Sequence, residues 1–299
     1  MDAGLAFTGG AGSDTFNGAY IGAGTDTLTG LDNLDGGAGT DTLNINDVAG
    51  GTTALAGITV KNIEIINLAS SAAAKLDTTG GNVTGVTSLN VTAGTSTTLT
   101  TGSTTAVNVS GITGAATVTG GLTQTVTAVG AITLSKSAGA IVATDTKQGA
   151  GAIAIDGGTS VTLKTTATNA GGTTGTVTLG NTTAPTGSIS ATVNLTNAAA
   201  VAANTTGGAV TVTGGSTVSV TQTAAQAVMA TASTNSKIVQ SAVTVNAGTA
   251  TTAVTVAQAA AVTAANTVIG VTGVAEVDSV QFGALAAGKT VTLLSLIHI

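Results

Sequence analysis

From about residue 82 to residue 293 the chain alternates between an apolar, mostly β-branched residue and a hydroxyl-bearing one. Runs such as 88–91, 106–109, 117–119, 125–129, 132–134, 152–155, 161–163, 177–179, 193–195, 210–212, 218–220, 243–245 and 254–256 recur about every eight to twelve residues, bounded by Gly, Asn or Ser/Thr clusters. Period-two alternation sends one side chain to one face of a pleated strand and the next to the other. These runs predict strands with a Val/Ile face and a Thr face. A weak echo hints at repetition: Thr117-Val118-Thr119-Gly120-Gly121 returns as Thr211-Val212-Thr213-Gly214-Gly215. Upstream, residues 58–60 and 63–68 read as strands, with the alternation lapsing at Ile66. Residues 72–75 read as a helical turn too short to stand alone.

Two all-β architectures use such a pattern. A parallel β-helix, or β-solenoid, stacks Val and Ile ladders in a narrow interior and leaves Thr ladders outside. Tandem antiparallel β-sandwiches pair the same strands through hairpins, over thicker cores that usually hold a buried Trp or Tyr. The chain of 299 residues has 43 Gly, one Tyr, three Phe and no Trp. Burying one Val stabilises by roughly 1.5–3 kcal/mol, and a thin solenoid gains this at every turn without a thick core. The composition favours the solenoid, and the direction of strand pairing discriminates the two.

Residues 1–48 have a different character. Gly9-Gly10-Ala11-Gly12-Ser13-Asp14-Thr15-Phe16-Asn17 and Gly36-Gly37-Ala38-Gly39-Thr40-Asp41-Thr42-Leu43-Asn44 both match the nine-residue pattern G-G-x-G-x-D-x-U-x, where U is a large apolar residue. Glycines permit backbone turns closed to other residues, so carbonyls and the Asp carboxylate converge on a hard cation while U enters a strand. The candidate calcium ligands are Asp14 and Asp41, with the turn carbonyls around Gly10, Gly12, Gly37 and Gly39. A partial copy adds Gly22, Gly24 and Asp26, with Ile21 where the first glycine belongs. Asp35 is a further candidate ligand, whereas Asp32 and Asp47 are expected in solvent. Asp14 and Asp41 are 27 residues apart and Asp26 falls irregularly between them, which predicts one or two Ca2+ sites rather than a continuous file.

Charge sharpens this picture. Seven Lys and no Arg stand against thirteen acids, and seven of those acids lie in the first 47 residues. Such a segment repels itself without cations. No basic stripe exists for nucleic acid. No apolar run approaches the ~20 residues of a transmembrane helix. Cysteine is absent, so neither disulfides nor thiol chemistry contributes. An enzymatic β-helix would need clustered carboxylates with basic partners, and the best cluster is Asp145, Lys147 and Asp156, which reads better as solvated turn charge.

The run from Gly36 to Asn46, then Val60-Lys61-Asn62-Ile63-Glu64-Ile65-Ile66-Asn67, then the long Thr/Val/Ala/Gly strand text, resembles Gram-negative surface-layer and related RTX-type β-strand-repeat proteins. The resemblance implies export by a type I system, folding on external calcium, and self-association into a lattice or coat at the cell surface. It also leaves open a calcium-dependent adhesin or biofilm-matrix passenger, with cell-surface polysaccharide as a partner. Organisation then reads as a calcium-binding region at 1–48, bridging strands at 49–81 and a Thr/Val solenoid at 82–293. The last residues, Leu294-Ser295-Leu296-Ile297-His298-Ile299, resemble the in-frame translation of a sequencing adapter. They are expected to carry no function. No charged-then-apolar leader follows Met1, which fits export by another route or a chain without its true start.

Overall fold

In a computed structural model, residues 5–21, 26–50, 53–92, 94–169, 172–197, 205–226, 238–240, 242–262 and 290–297 are described. Their regular structure is all strand, and the strands pair in parallel. The protein is a parallel β-helix. Parallel register overturns the sandwich alternative: successive strands of one sheet are joined by a whole turn of chain rather than by a hairpin.

The chain divides into two compact units, the first formed by Met1–Ala128 with Leu134–Ala140 and the second by Val129–Thr133 with Ile141–Ile299. In the first unit each turn of the coil adds one strand to a long sheet, in the order Thr15–Tyr20, Thr42–Asp47, Ile65–Ser70, Ser88–Thr92, Ala106–Ser110 and Thr123–Ala128. A second sheet runs through Thr53–Ala54, Ala73–Asp77, Ser96–Thr100 and Ala116–Thr119. A third is confined to Ala6–Thr8, Asn33–Asp35 and Thr59–Lys61, and ends in a single parallel bridge from Val60 to Val83. As that side is lost, the turns shorten. Equivalent asparagines are 27 residues apart from Asn17 to Asn44, 23 from Asn44 to Asn67 and 18 from Asn90 to Asn108.

Alternation produces this core directly. Inward positions stack in register as Phe16, Leu43, Ile66, Leu89, Val107 and Gln124. Leu43, Ile66, Leu89 and Val107 are fully buried. A second column runs through Ile45, Leu68, Val91, Val109 and Val126. Residues 72–75 are not a helical turn, because Ala73–Asp77 is a strand. Its Ala74 and Leu76 bury against Thr97 and Leu99 of the following turn, and this packing overrides a short local helical preference.

The second unit repeats the device with longer turns. Its long sheet follows Ala140–Asp145, Ser160–Asn169, Ile189–Asn197, Thr217–Gln226, Ala253–Val262 and Thr290–Ile297. Thus residues 294–297 belong to a strand paired with Ala253–Val262. The Thr-Val-Thr-Gly-Gly echo serves one purpose in both places. Gly120 and Gly121 have φ +88° and +108°, and Gly214 and Gly215 both have +80°. Each pair turns the chain at the end of a strand. A Cβ at Gly120 would collide with the Thr101 carbonyl of the preceding turn.

Candidate metal centre

The two complete motifs occupy adjacent turns in register: Thr15 pairs with Thr42 and Phe16 with Leu43. Their aspartates therefore stand one above the other, immediately before two neighbouring strands. The Asp14 N–H donates to Asp41 Oδ1 at 2.7 Å, and the Asp41 N–H donates to Glu64 Oε2 at 2.8 Å. Three acids in successive turns form this ladder. Each of the two upper carboxylates accepts the N–H that precedes a strand in the turn before it.

Glu64 escaped sequence reasoning because no glycine turn announces it. A faint signal existed in the shared order of acid, any residue, large apolar residue, then Asn. It reads Asp14-Thr15-Phe16-Asn17, Asp41-Thr42-Leu43-Asn44 and Glu64-Ile65-Ile66-Asn67.

Around the ladder the turns are tight. Gly37 and Gly39 take φ +90° and +133°, while Gly10 and Gly12 lie outside that region. A Cβ on Gly37 would strike the Gly10 carbonyl, and one on Gly39 the Gly12 carbonyl. The glycines thus let the second turn seat its backbone against the first. Gly10 N–H donates to Asp14 Oδ2 at 2.6 Å, and Ala38 N–H donates to the Gly10 carbonyl at 3.0 Å.

Asp41 is 1% exposed and its Oδ2 is buried without a hydrogen-bond partner. A Cβ on Gly36 would run into that oxygen. An anionic oxygen left this way costs several kcal/mol unless a donor or cation meets it. The donor set is carboxylate and peptide carbonyl, which suits a hard cation such as Ca2+. Among the described residues no group of three or more acidic, His or Cys side chains is gathered for a metal, so backbone carbonyls would have to complete the coordination.

The remaining aspartates do other work. Gly22 and Gly24 lie outside the described residues. Asp26 Oδ1 accepts from Ile21 N–H at 2.6 Å beyond the far end of Thr15–Tyr20, away from Asp14 and Asp41. Asp35 Oδ1 accepts from Gly37 N–H and from Asn62 Nδ2, so it braces the second turn. Asp32 and Asp47, expected in solvent, are 3% and 1% exposed. Asp32 accepts from the N–H groups of Leu5 and Thr29, and Asp47 from Gly50 N–H and Ser70 Oγ. Corner amides have no strand partner, and an Asp side chain supplies the acceptor they need. Farther along, Asp145 is fully buried and Asp156 accepts from Thr182 and Thr183 N–H groups.

One outward column forms an amide ladder. Asn44 Nδ2 donates to Asn17 Oδ1, Asn67 to Asn44, Asn90 to Asn67 and Asn108 to Asn90, all at 2.8–2.9 Å. Beside it runs a shallow groove of about 260 Å³ lined by Asn17, Asn44, Asn46, Asn67, Ala69 and Thr92, together with Gly18 and Ile45. No charged residue lines it.

No protein-family model matches this chain, and no curated protein matches it either. No helix among the described residues is long and apolar enough to cross a membrane.

Proposed function

We propose that this is a secreted structural protein of the cell surface whose first turns are locked by calcium and which associates with copies of itself into a coat. The supporting observation is the stack of Asp14, Asp41 and Glu64 in consecutive turns, with Asp41 Oδ2 buried and unpaired. Strands in neighbouring turns lie about 4.8 Å apart. At that separation two unit negative charges repel by about 1 kcal/mol in a water-like medium and about 3.5 kcal/mol at an effective dielectric of 20. A divalent cation beside Asp41 relieves this repulsion and satisfies the orphaned oxygen. In a calcium-poor cytosol that relief is missing, so the acidic leader stays open for export and closes outside.

The aspartates described above outside the ladder brace turns or lie in the core, which supports a structural reading over a catalytic one. Thermal melting followed by circular dichroism, with calcium and then with chelator, tests the reading on the wild type and on Asp41→Asn. The wild type should melt higher with calcium, and the variant should lose that response. Identical melting in calcium and chelator for the wild type would overturn the proposal.

A second reading, a calcium-dependent adhesin, is favoured by the amide-lined groove. Uncharged amides offer both donor and acceptor to sugar hydroxyls. Retention of a neutral cell-surface polysaccharide that is lost on Ala69→Trp, which fills the groove, would favour it over the coat.

A further inference from the structure

Two carboxylates in the described structure keep a buried oxygen without a partner, Asp41 and Asp145. Their surroundings differ. Asp41 stands between two other acids, whereas Asp145 is alone among neutral groups. It ends the inward column of Ala140–Asp145 and is 0% exposed. Its Oδ1 accepts from Lys147 N–H at 3.0 Å and Gly130 N–H at 3.3 Å. Its Oδ2 has no partner.

Gln148, three residues on, is 1% exposed. Its N–H donates to the Thr166 carbonyl and its Nε2 to the Gly175 carbonyl, at 2.8 and 3.0 Å. The bond to Gly175 fixes which way the amide faces, because a flip would point oxygen at oxygen. Gln148 Oε1 is therefore a buried acceptor without a donor, and Thr165 Oγ1, beside Thr166, is another unpaired oxygen. Asp145 Oδ2, Gln148 Oε1 and Thr165 Oγ1 are thus each buried without a partner.

Among the described residues no cation offers itself. Lys147 and Lys164 are exposed, Asp156 is half-buried and already bonded to backbone N–H groups, and Thr123–Ala128 contains no titratable residue. Burial pushes the Asp145 carboxyl above its ordinary value, against the opposing pull of the Lys147 and Gly130 amides.

We propose that Asp145 is carried in the folded protein as the neutral acid, so that the second unit loosens as pH rises. The sign follows from proton counting. Unfolding releases this proton at any pH between the ordinary aspartate value and the raised folded one. The contribution is complete below the ordinary value and shrinks as pH rises toward the folded value, by up to tenfold in the folding equilibrium per pH unit. The inference is independent of the calcium site.

The test compares melting of the full chain and of Asp145→Asn from pH 4 to pH 8, at fixed ionic strength and saturating calcium. Asparagine mimics the neutral acid and keeps a donor. The variant should match the wild type near pH 4 and exceed it by a growing margin at higher pH. A margin that is constant, or that favours the wild type at pH 8, overturns the proposal. Should the variant fail to fold, infrared spectra of the wild type with labelled aspartate decide instead. A protonated-carboxyl stretch should persist at pH 5.5, where ordinary aspartates are ionised, and its absence there sinks the idea.

Discussion

The backbone N–H of Asp14 donates to the carboxylate of Asp41, 27 residues later in the chain, at 2.7 Å. A single turn of coil separates the two residues in sequence and one strand spacing separates them in space. The motif aspartates are therefore structural acceptors before they are anything else, and the experiments below exploit that double role.

Asp41→Asn keeps an oxygen for the Asp14 amide while removing the charge. It should fold without calcium at least as well as the wild type and gain nothing from added calcium. Asp41→Ala loses the acceptor too, and should cost about 1–3 kcal/mol in chelator, the penalty of an unsatisfied buried amide. Chemical denaturation of both variants with and without calcium separates the two effects.

With calcium at 1 mM and a site affinity of roughly 0.1 mM, one occupied site should add about 1.4 kcal/mol of stability. Chelation should lower the melting temperature of the first turns, read from amide exchange at residues such as Thr42 and Ile65. Their protection should rise with calcium, while that at Val210 and Val212 should not.

Leu89 sits midway in the inward column, between Ile66 and Val107. Replacing it with Ala should leave a cavity and cost about 2–5 kcal/mol. Loss of less than 1 kcal/mol in a denaturation midpoint would mean that the narrow core collapses to fill the gap.

Asn67 both donates to Asn44 and accepts from Asn90. Asn67→Ala removes two amide bonds from a half-buried ladder, each contributing about 0.5–1.5 kcal/mol. The expected loss is about 1–3 kcal/mol, whereas truncating Asn108 at the ladder's end should cost about half as much.

Strand identity was legible because Val-Thr alternation has one structural meaning, and Leu43 and Phe16 fell where the apolar motif position predicts. Pairing direction was harder to read, since an alternating strand is equally at home in parallel or antiparallel company. Asp32 and Asp47 were misjudged as solvated because a corner amide needing an acceptor leaves no mark in local composition. Glu64 was hidden for a related reason. Its role comes from lying one turn above Asp41, and the shift from 27-residue to 23-residue turns broke the period that would have aligned it. Gln124 and Gln148 were invisible as interior residues. Their amides point inward to hold the carbonyls of Gly120, Ser135 and Gly175, a task that hydrophobic periodicity does not encode.

Turn length varies from 17 residues between Val107 and Gln124 to 37 between Val254 and Val291 while strand register is kept. The coil therefore counts strand positions and is indifferent to how much chain loops out at its corners. Foreign peptides spliced into such corners would be carried outward at regular intervals, like rungs fitted with handles. Natural insertions and deletions of whole loops would then diversify the exterior without rewriting the interior.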